Sequence, residues 1–232
     1  MIIMNVMRNL LIYIYCFHLI IFSSCNNQNH KLENSHKLRR IVNKNKIQVG
    51  EALYLNDSIQ DGAFKIFYPN TKKVRLVGYV RMDHEMGSGY CFSLNGKVSK
   101  YALLGHHGLK DKDWLSMYYD TITGEFIKKI GYLTATVEFS NFTNLDSIPL
   151  NEKVFCEYIV ATPPNCNTEA SVFINSLNST KLKLPIENCF ATYAPTFTEP
   201  GKLKIILRID VDDTLRHLHF DQLDTTIITV VK

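Results

Sequence analysis

Between residues 61 and 132 the chain repeats one short pattern three times, and that repetition limits the fold more than any other feature. Asp61-Gly62-Ala63-Phe64-Lys65-Ile66-Phe67-Tyr68-Pro69-Asn70 is followed 25 residues later by Gly87-Ser88-Gly89-Tyr90-Cys91-Phe92-Ser93-Leu94-Asn95-Gly96. After another 25 comes Lys112-Asp113-Trp114-Leu115-Ser116-Met117-Tyr118-Tyr119-Asp120. Phe67, Phe92 and Met117 are equivalent, as are Tyr68, Ser93 and Tyr118, and Asn70, Asn95 and Asp120. Each unit returns to a glycine with a ring after it: Gly78-Tyr79, Gly105-His106 and Gly131-Tyr132. Asn95-Gly96 supplies the positive φ values of a two-residue turn, so each unit reads as strand, turn and strand. A hairpin cannot bury its aromatic face alone, so successive units are expected to join into one elongated sheet.

Aromatic–x–x–aromatic–x–x–Asn, with a later Gly-aromatic, resembles MORN-type repeats, in particular the variant of bacterial secreted and antitoxin-labelled proteins. Phe64, Phe67 and Asn70 fit the pattern, as do Tyr118, Asp120 and Gly124; Gly89 departs from it. The resemblance covers under half of the mature chain. It implies hairpins in a single layer, a role in interaction and no catalytic residue. The aromatic rows then offer a binding face, with Tyr68, Trp114 and Tyr118 as candidate partner-binding residues.

From residue 133 the texture changes to longer alternating strands, expected at 133–139, 153–162, 170–176, 182–193, 202–211 and 225–231. Turn clusters separate them, among them Thr162-Pro163-Pro164-Asn165 and Pro200-Gly201. This spacing predicts a β-sandwich. Thr198-Glu199-Pro200-Gly201-Lys202-Leu203 resembles the entry to a late strand of bacterial immunoglobulin-like domains, without the Cys…Trp…Cys core of antibody domains. No run has helical periodicity.

The beginning of the chain concerns address. Met1 to Arg8 carries one positive charge, residues 10–22 are almost wholly apolar, and Ser23-Ser24-Cys25 opens onto a polar continuation. That is the anatomy of a secretory signal, and the apolar run is shorter than the roughly 20 residues of a spanning helix. Phe22-Ser23-Ser24-Cys25 resembles a bacterial lipobox, which implies lipid on the Cys25 thiol; the competing reading is an ordinary cut near Ser24 and a secreted protein. Asn26 is not the Asp that retains such lipoproteins in the inner membrane of enteric bacteria, so the resemblance implies the outer membrane, periplasmic or surface-facing. Lys31, Lys37, Arg39, Arg40, Lys44 and Lys46 follow with Glu33 as the only acid. This basic run reads as a flexible juxtamembrane tether drawn to anionic lipid heads.

Outside the leader and Cys25, four cysteines remain, Cys91, Cys156, Cys166 and Cys189. They allow three pairings in an oxidising compartment, and their spacing does not choose between buried thiols and a single disulfide. His106 and His107 are adjacent and would point to opposite faces of a strand. His217, His219 and Asp221 alternate, so a strand would present all three on one face as a weak metal-site candidate. A solvated loop around Asp210, Asp212, Asp213 and Arg216 competes with it. No G-x-S-x-G elbow, helical H-E-x-x-H pair or EF-hand loop is present.

The expected protein is all-β: a signal segment at 1–24, a lipidated Cys25 and tether to 46, hairpin repeats over 47–132 and a sandwich over 133–232. It is expected to be a lipid-anchored, non-catalytic binding or scaffolding module of the envelope that meets another envelope protein or a glycan. Neither cofactor nor nucleic acid is expected. A toxin-neutralising immunity protein and a metal-dependent protein are the alternatives.

Overall fold

Short turns that satisfy their own backbone organise the first half. The computed structural model describes residues 36–44, 46–55, 58–107, 110–140, 147–176 and 178–232, with only the backbone at 106–107, 110–112 and 137–140. Its first nine strands are β1 (Lys37–Val42), β2 (Gln48–Tyr54), β3 (Gln60–Phe67), β4 (Val74–Arg81), β5 (His84–Glu85), β6 (Gly87–Phe92), β7 (Val98–His107), β8 (Lys110–Tyr119) and β9 (Phe126–Gly131). They form one antiparallel sheet in the order β1-β2-β3-β4-β6-β7-β8-β9, with the two-residue β5 attached to β4. The three repeat units are the hairpins β3–β4, β6–β7 and β8–β9. Their turns close through Tyr68 N–H to Lys73 O (2.9 Å), Ser93 N–H to Lys97 O (2.8 Å) and Asp120 N–H to Glu125 O (2.8 Å). In the third turn the Asp120 carboxylate accepts from the backbone N–H groups of Ile122 (2.7 Å) and Thr123 (2.6 Å), a side-chain mimic of a turn. Those two bonds lower the Asp120 pKa.

The recurring glycines make room for rings. Phe64 lies opposite Gly78 in the β3–β4 register, and a Cβ on Gly78 would come 2.6 Å from the Phe64 ring. Gly105 does the same for Trp114: a Cβ there would run into the indole, with Ile159 just beyond it. The sheet therefore gains apolar cover across a residue that has no side chain of its own.

The strands begin earlier than the sequence suggests. Residues 37–42, expected within the tether, form β1 in register with β2, from Lys37 opposite Tyr54 to Val42 opposite Gln48. Arg39 and Ile41 turn inward to a small cluster, Arg39 over the Tyr54 ring (5.2 Å) and Ile41 against Ala52, Phe64 and Val80. Backbone pairing at a sheet edge outweighs the local charge; charged side chains are the usual protection of an edge strand.

The second half makes two further sheets from β10 (Thr134–Ser140), β11 (Ile148–Pro149), β12 (Phe155–Val160), β13 (Cys166–Ile174), β14 (Leu182–Leu184), β15 (Ile186–Glu187), β16 (Phe190–Tyr193), β17 (Gly201–Asp213) and β18 (Leu218–Val231). One sheet runs β10-β12-β16-β15 and the other β11-β18-β17-β13-β14. All pairs are antiparallel except β11 with β18. Ile205, Leu207, Ile209 and Val211 alternate along β17 into the core, facing Cys156, Tyr158, Val160 and Ala191 of the other sheet within one cluster. The expected strand over 182–193 is three strands. Pro185, which has no N–H for a ladder, separates β14 in one sheet from β15 in the other, and Asn188 and Cys189 (φ 50° and 67°) turn the chain into β16. The last strand is longer than expected, because β17 and β18 stay in register from Gly201 opposite Val230 to Asp213 opposite Leu218.

The expected boundary at 132/133 separates topologies but not cores. Tyr101, Leu103, Leu115, Met117 and Tyr119 of β7 and β8 are buried in the same cluster as the sandwich interior. Thr162 ties the two together. Its N–H donates to the Tyr101 hydroxyl oxygen (2.7 Å), its carbonyl accepts from the Tyr90 hydroxyl (2.8 Å), and its Oγ1 lies 2.8 Å from Ser88 Oγ. Toward β1 the sheet leaves the sandwich and buries its opposite face, where Ala52, Phe64 and Val80 gather.

A side chain at position 105 would displace the Trp114 indole in a packed layer. Gly105→Ala should therefore lower stability by about 1–3 kcal/mol. Urea unfolding followed by Trp114 fluorescence, from the only tryptophan, measures it; an unchanged midpoint would remove the glycine–ring contact as a structural requirement.

Candidate binding cleft

The three repeat turns stack at one end of the sheet, the second and third each held by side chains of the turn before. From the first turn, the Tyr68 hydroxyl donates to Phe92 O (2.7 Å) and Lys73 Nζ to Leu94 O (3.0 Å). From the second, Asn95 Nδ2 donates to Thr121 O (2.7 Å) and Lys97 Nζ to Ile122 O. Beyond the third turn the sandwich supplies the donor. Arg216, at the tip of the β17–β18 hairpin, gives Nε (3.1 Å) and Nη2 (2.6 Å) to Gly124 O.

Arg216 is itself fixed. Its Nη1 pairs with Asp213 Oδ2 at 2.5 Å, and its guanidinium lies over the Tyr119 ring at 5.1 Å. The Asp213 carboxylate, 3 % exposed, also accepts from the N–H groups of Leu215 (3.1 Å) and Arg216 (3.0 Å). An ion pair this far out of water holds only while every donor is in place.

Between the third turn, the 162–165 loop and the β17–β18 tip lies an open cleft of about 700 Å³, whose walls include Tyr119, Phe126, Asn165, Leu215 and Arg216. Tyr119 and Phe126 meet edge to face at 6.1 Å, and Phe126 also meets Phe220 at 5.4 Å. Burial raises the Tyr119 hydroxyl far above an ordinary phenol. Three aliphatic side chains stand exposed at this end, Leu215 on the tip, Ile122 on the third turn and Leu94 on the second. The cationic donors already serve main-chain carbonyls and the turn amides are taken within the turns, so the cleft offers rings and aliphatic surface with Glu125 at its wall. That composition suits contact with a polypeptide or an amphipathic ligand better than proton transfer.

The candidate residues are dispersed. Trp114 packs over Gly105 against the shared core, on the side facing the sandwich. Tyr118 points to the opposite face, between Lys128 Nζ (5.0 Å) and Lys100 Nζ (5.9 Å). Tyr68 belongs to the turn stack. These three do not form one surface, and the cleft is built from residues the repeat pattern did not single out, chiefly Arg216, Asp213 and Leu215. An acid and an arginine three residues apart at a strand end was the available signal.

The metal candidates separate as well. His217 sits on the hairpin turn with φ 55°, outside the strand, whereas His219 and Asp221 lie in β18. His219 Nδ1 is 2.7 Å from Asp212 Oδ1, and Asp221 faces Asp210 across the register. Asp210 is taken by Arg208, which donates from both Nε (3.0 Å) and Nη2 (2.9 Å). Among the described residues no group of three His, Cys, Asp or Glu side chains is placed to hold a metal ion. The four cysteines Cys91, Cys156, Cys166 and Cys189 are free thiols. Burial pushes Cys156 and Cys189 up to about 11 and Cys166 to about 12, so they stay protonated and poorly nucleophilic near neutral pH. Cys25 and the side chains of His106 and His107 lie outside the described residues.

No protein-family model, curated protein or solved structure matches this chain.

Removing the Arg216 charge while Asp213 stays buried should cost about 3–5 kcal/mol. Arg216→Met is expected to lower the urea midpoint accordingly, and Asp213→Asn on top of it to recover part of the loss. Equal stability of wild type and Arg216→Met would mean the pair does not hold the tip. The Asp212 hydrogen bond raises the His219 pKa above the ordinary 6.5. Its contribution is full below 6.5 and disappears as pH rises through the raised value. An NMR titration should place His219 above its unfolded value and move it down toward that value in Asp212→Asn, with Asp210 and Asp221 still nearby.

Proposed function

We propose that this protein is a lipid-anchored component of a bacterial cell envelope, held at the outer membrane through Cys25, and that it works as a non-catalytic binding or scaffolding module. The anchor rests on the leader and on Phe22-Ser23-Ser24-Cys25, which resembles a lipobox; the binding role rests on the cleft. There the MORN-like turns meet the β17–β18 tip, exposed Leu215 lines the cleft with Tyr119 and Phe126, and exposed Ile122 precedes the lining residue Thr123 on the third turn. The partner expected at such a surface is another envelope protein, or a glycan stacking on the rings. An immunity protein that blocks a toxin by contact would use the same surface, and the repeat resemblance supports that as the second reading. The metal-dependent reading loses its ligand set, because His217 leaves the face that His219 and Asp221 share.

Two measurements test the proposal. Mass spectrometry of the mature N-terminus should find acyl chains on Cys25, and Cys25→Ser should carry none and be held more weakly in the membrane fraction than the wild type. A pull-down from solubilised envelopes should recover a partner that Leu215→Asp with Ile122→Asp loses at unchanged circular dichroism. An unlipidated N-terminus together with a partner indifferent to both substitutions would overturn it.

A further inference from the structure

The charge of the chain is unevenly placed. Residues 36–81 contain ten Lys or Arg and three Asp or Glu, a net +7; residues 82–232 contain fourteen and eighteen, a net −4. The modest net charge of +4 hides a basic end and an acidic remainder. The basic end is the β1–β4 part of the sheet, which the sandwich leaves and where the chain enters the fold.

The outermost hairpin, β1–β2, concentrates this charge in a particular form. Arg39 and Ile41 face the small cluster around Phe64. The alternate residues of β1 face away from it: Leu38 is 65 % exposed, Arg40 is exposed, and Val42 is 54 % exposed. The turn continues the pattern with exposed Lys44 and Lys46 and with Ile47, 44 % exposed. Glu51 is the only acid between residues 36 and 55. Three aliphatic side chains, the three cations interleaved with them (Arg40, Lys44 and Lys46) and exposed Lys37 at the start of the strand form an amphipathic rim on one folded edge. A polyanion such as nucleic acid would use the cations and have no use for the aliphatics. A bilayer surface uses both, phosphates for the cations and the acyl boundary for Leu38, Val42 and Ile47.

We propose that the β1–β2 edge is a docking surface for an anionic phospholipid bilayer, and that it sets the orientation of the folded protein against the membrane. The surface stands on the folded hairpin and does not require lipid at Cys25. Where Cys25 is anchored, residues 26–36 cover at most about 40 Å even fully extended, so the rim stays near the headgroups. The acidic remainder, with the cleft at the far end of the strand order, is repelled from the same surface.

The test uses the full chain carrying Cys25→Ser, so that every comparison shares the same first 35 residues and no acyl chain contributes. Partitioning is measured onto phosphatidylcholine vesicles with and without phosphatidylglycerol, at low and high salt. Binding should favour the phosphatidylglycerol vesicles and fall with salt. Lys37→Gln with Arg40→Gln should weaken it roughly five-fold per charge removed. Lys44→Gln with Lys46→Gln, in the exposed turn, should act equally and serves if the strand pair perturbs the fold. Leu38→Ser with Val42→Ser should reduce the part that survives high salt, above the constant contribution of the first 35 residues that all variants share. Equal partitioning onto both vesicle types, or no loss in either charge pair, would overturn the proposal. So would duplex DNA displacing the vesicles with an affinity unaffected by Leu38→Ser and Val42→Ser. Failure here leaves the lipidation of Cys25 standing, since that is read separately by mass spectrometry.

Discussion

The closure of the β7–β8 pair onto the sandwich is the contact on which the other elements depend. Tyr101 shows why it is exacting: its hydroxyl is completely buried, and burial pushes its ionisation well above an ordinary phenol. Such a group is tolerated only with partners, and it has two, Ser88 Oγ at 2.8 Å and the Thr162 N–H. Each partner belongs to a different part of the fold, so the hydrogen bonds position the sheet on the sandwich while Leu103, Leu115 and Met117 supply the apolar area. Tyr158 lacks this arrangement. Among the described residues its buried hydroxyl has no nitrogen or oxygen partner, only the Cys156 sulfur beside it, and a group left without a strong partner costs about 1–3 kcal/mol.

That closure also explains the asymmetry of the long sheet. Strands near β8 bury the face toward the sandwich, and strands near β1 bury the other. A single layer can change its buried face only where another source of cover exists. In β3–β4 the cover is the Phe64 ring over Gly78. At the β1 edge, charge and exposed aliphatic side chains remain.

The strand plan of the repeats was legible because period-two aromatic patterning and Asn-Gly turns are local signals: all three hairpins lie where Asn70, Asn95 and Asp120 place them. The sandwich strands were legible in outline for the same reason. The misreadings arise where a non-local partner decides. Residues 37–42 look like a solvated basic run until β2 is beside them, and 182–193 reads as one strand until Pro185 sends its halves to different sheets. The cleft was the least legible part. Arg216 finds its acceptor at Gly124, 92 positions away, and neither residue carries a local pattern that announces the other. Trp114 is a conspicuous aromatic in the sequence, and it fills the space above Gly105.

The turn stack carries a consequence for how this chain can vary. Lys73 and Lys97 each span to a carbonyl in the following turn, and Arg216 reaches the last one from a different sheet. A lysine side chain has a fixed reach, so the series behaves as a gauge: it accepts new side chains at the turn tips but rejects added backbone length. An insertion after Asn95 would lift Leu94 O from one donor and Lys97 from its acceptor together, and the misfit would pass along the row to Arg216. Substitution and insertion, equivalent at an ordinary exposed loop, are thus sharply different kinds of change at this end of the molecule.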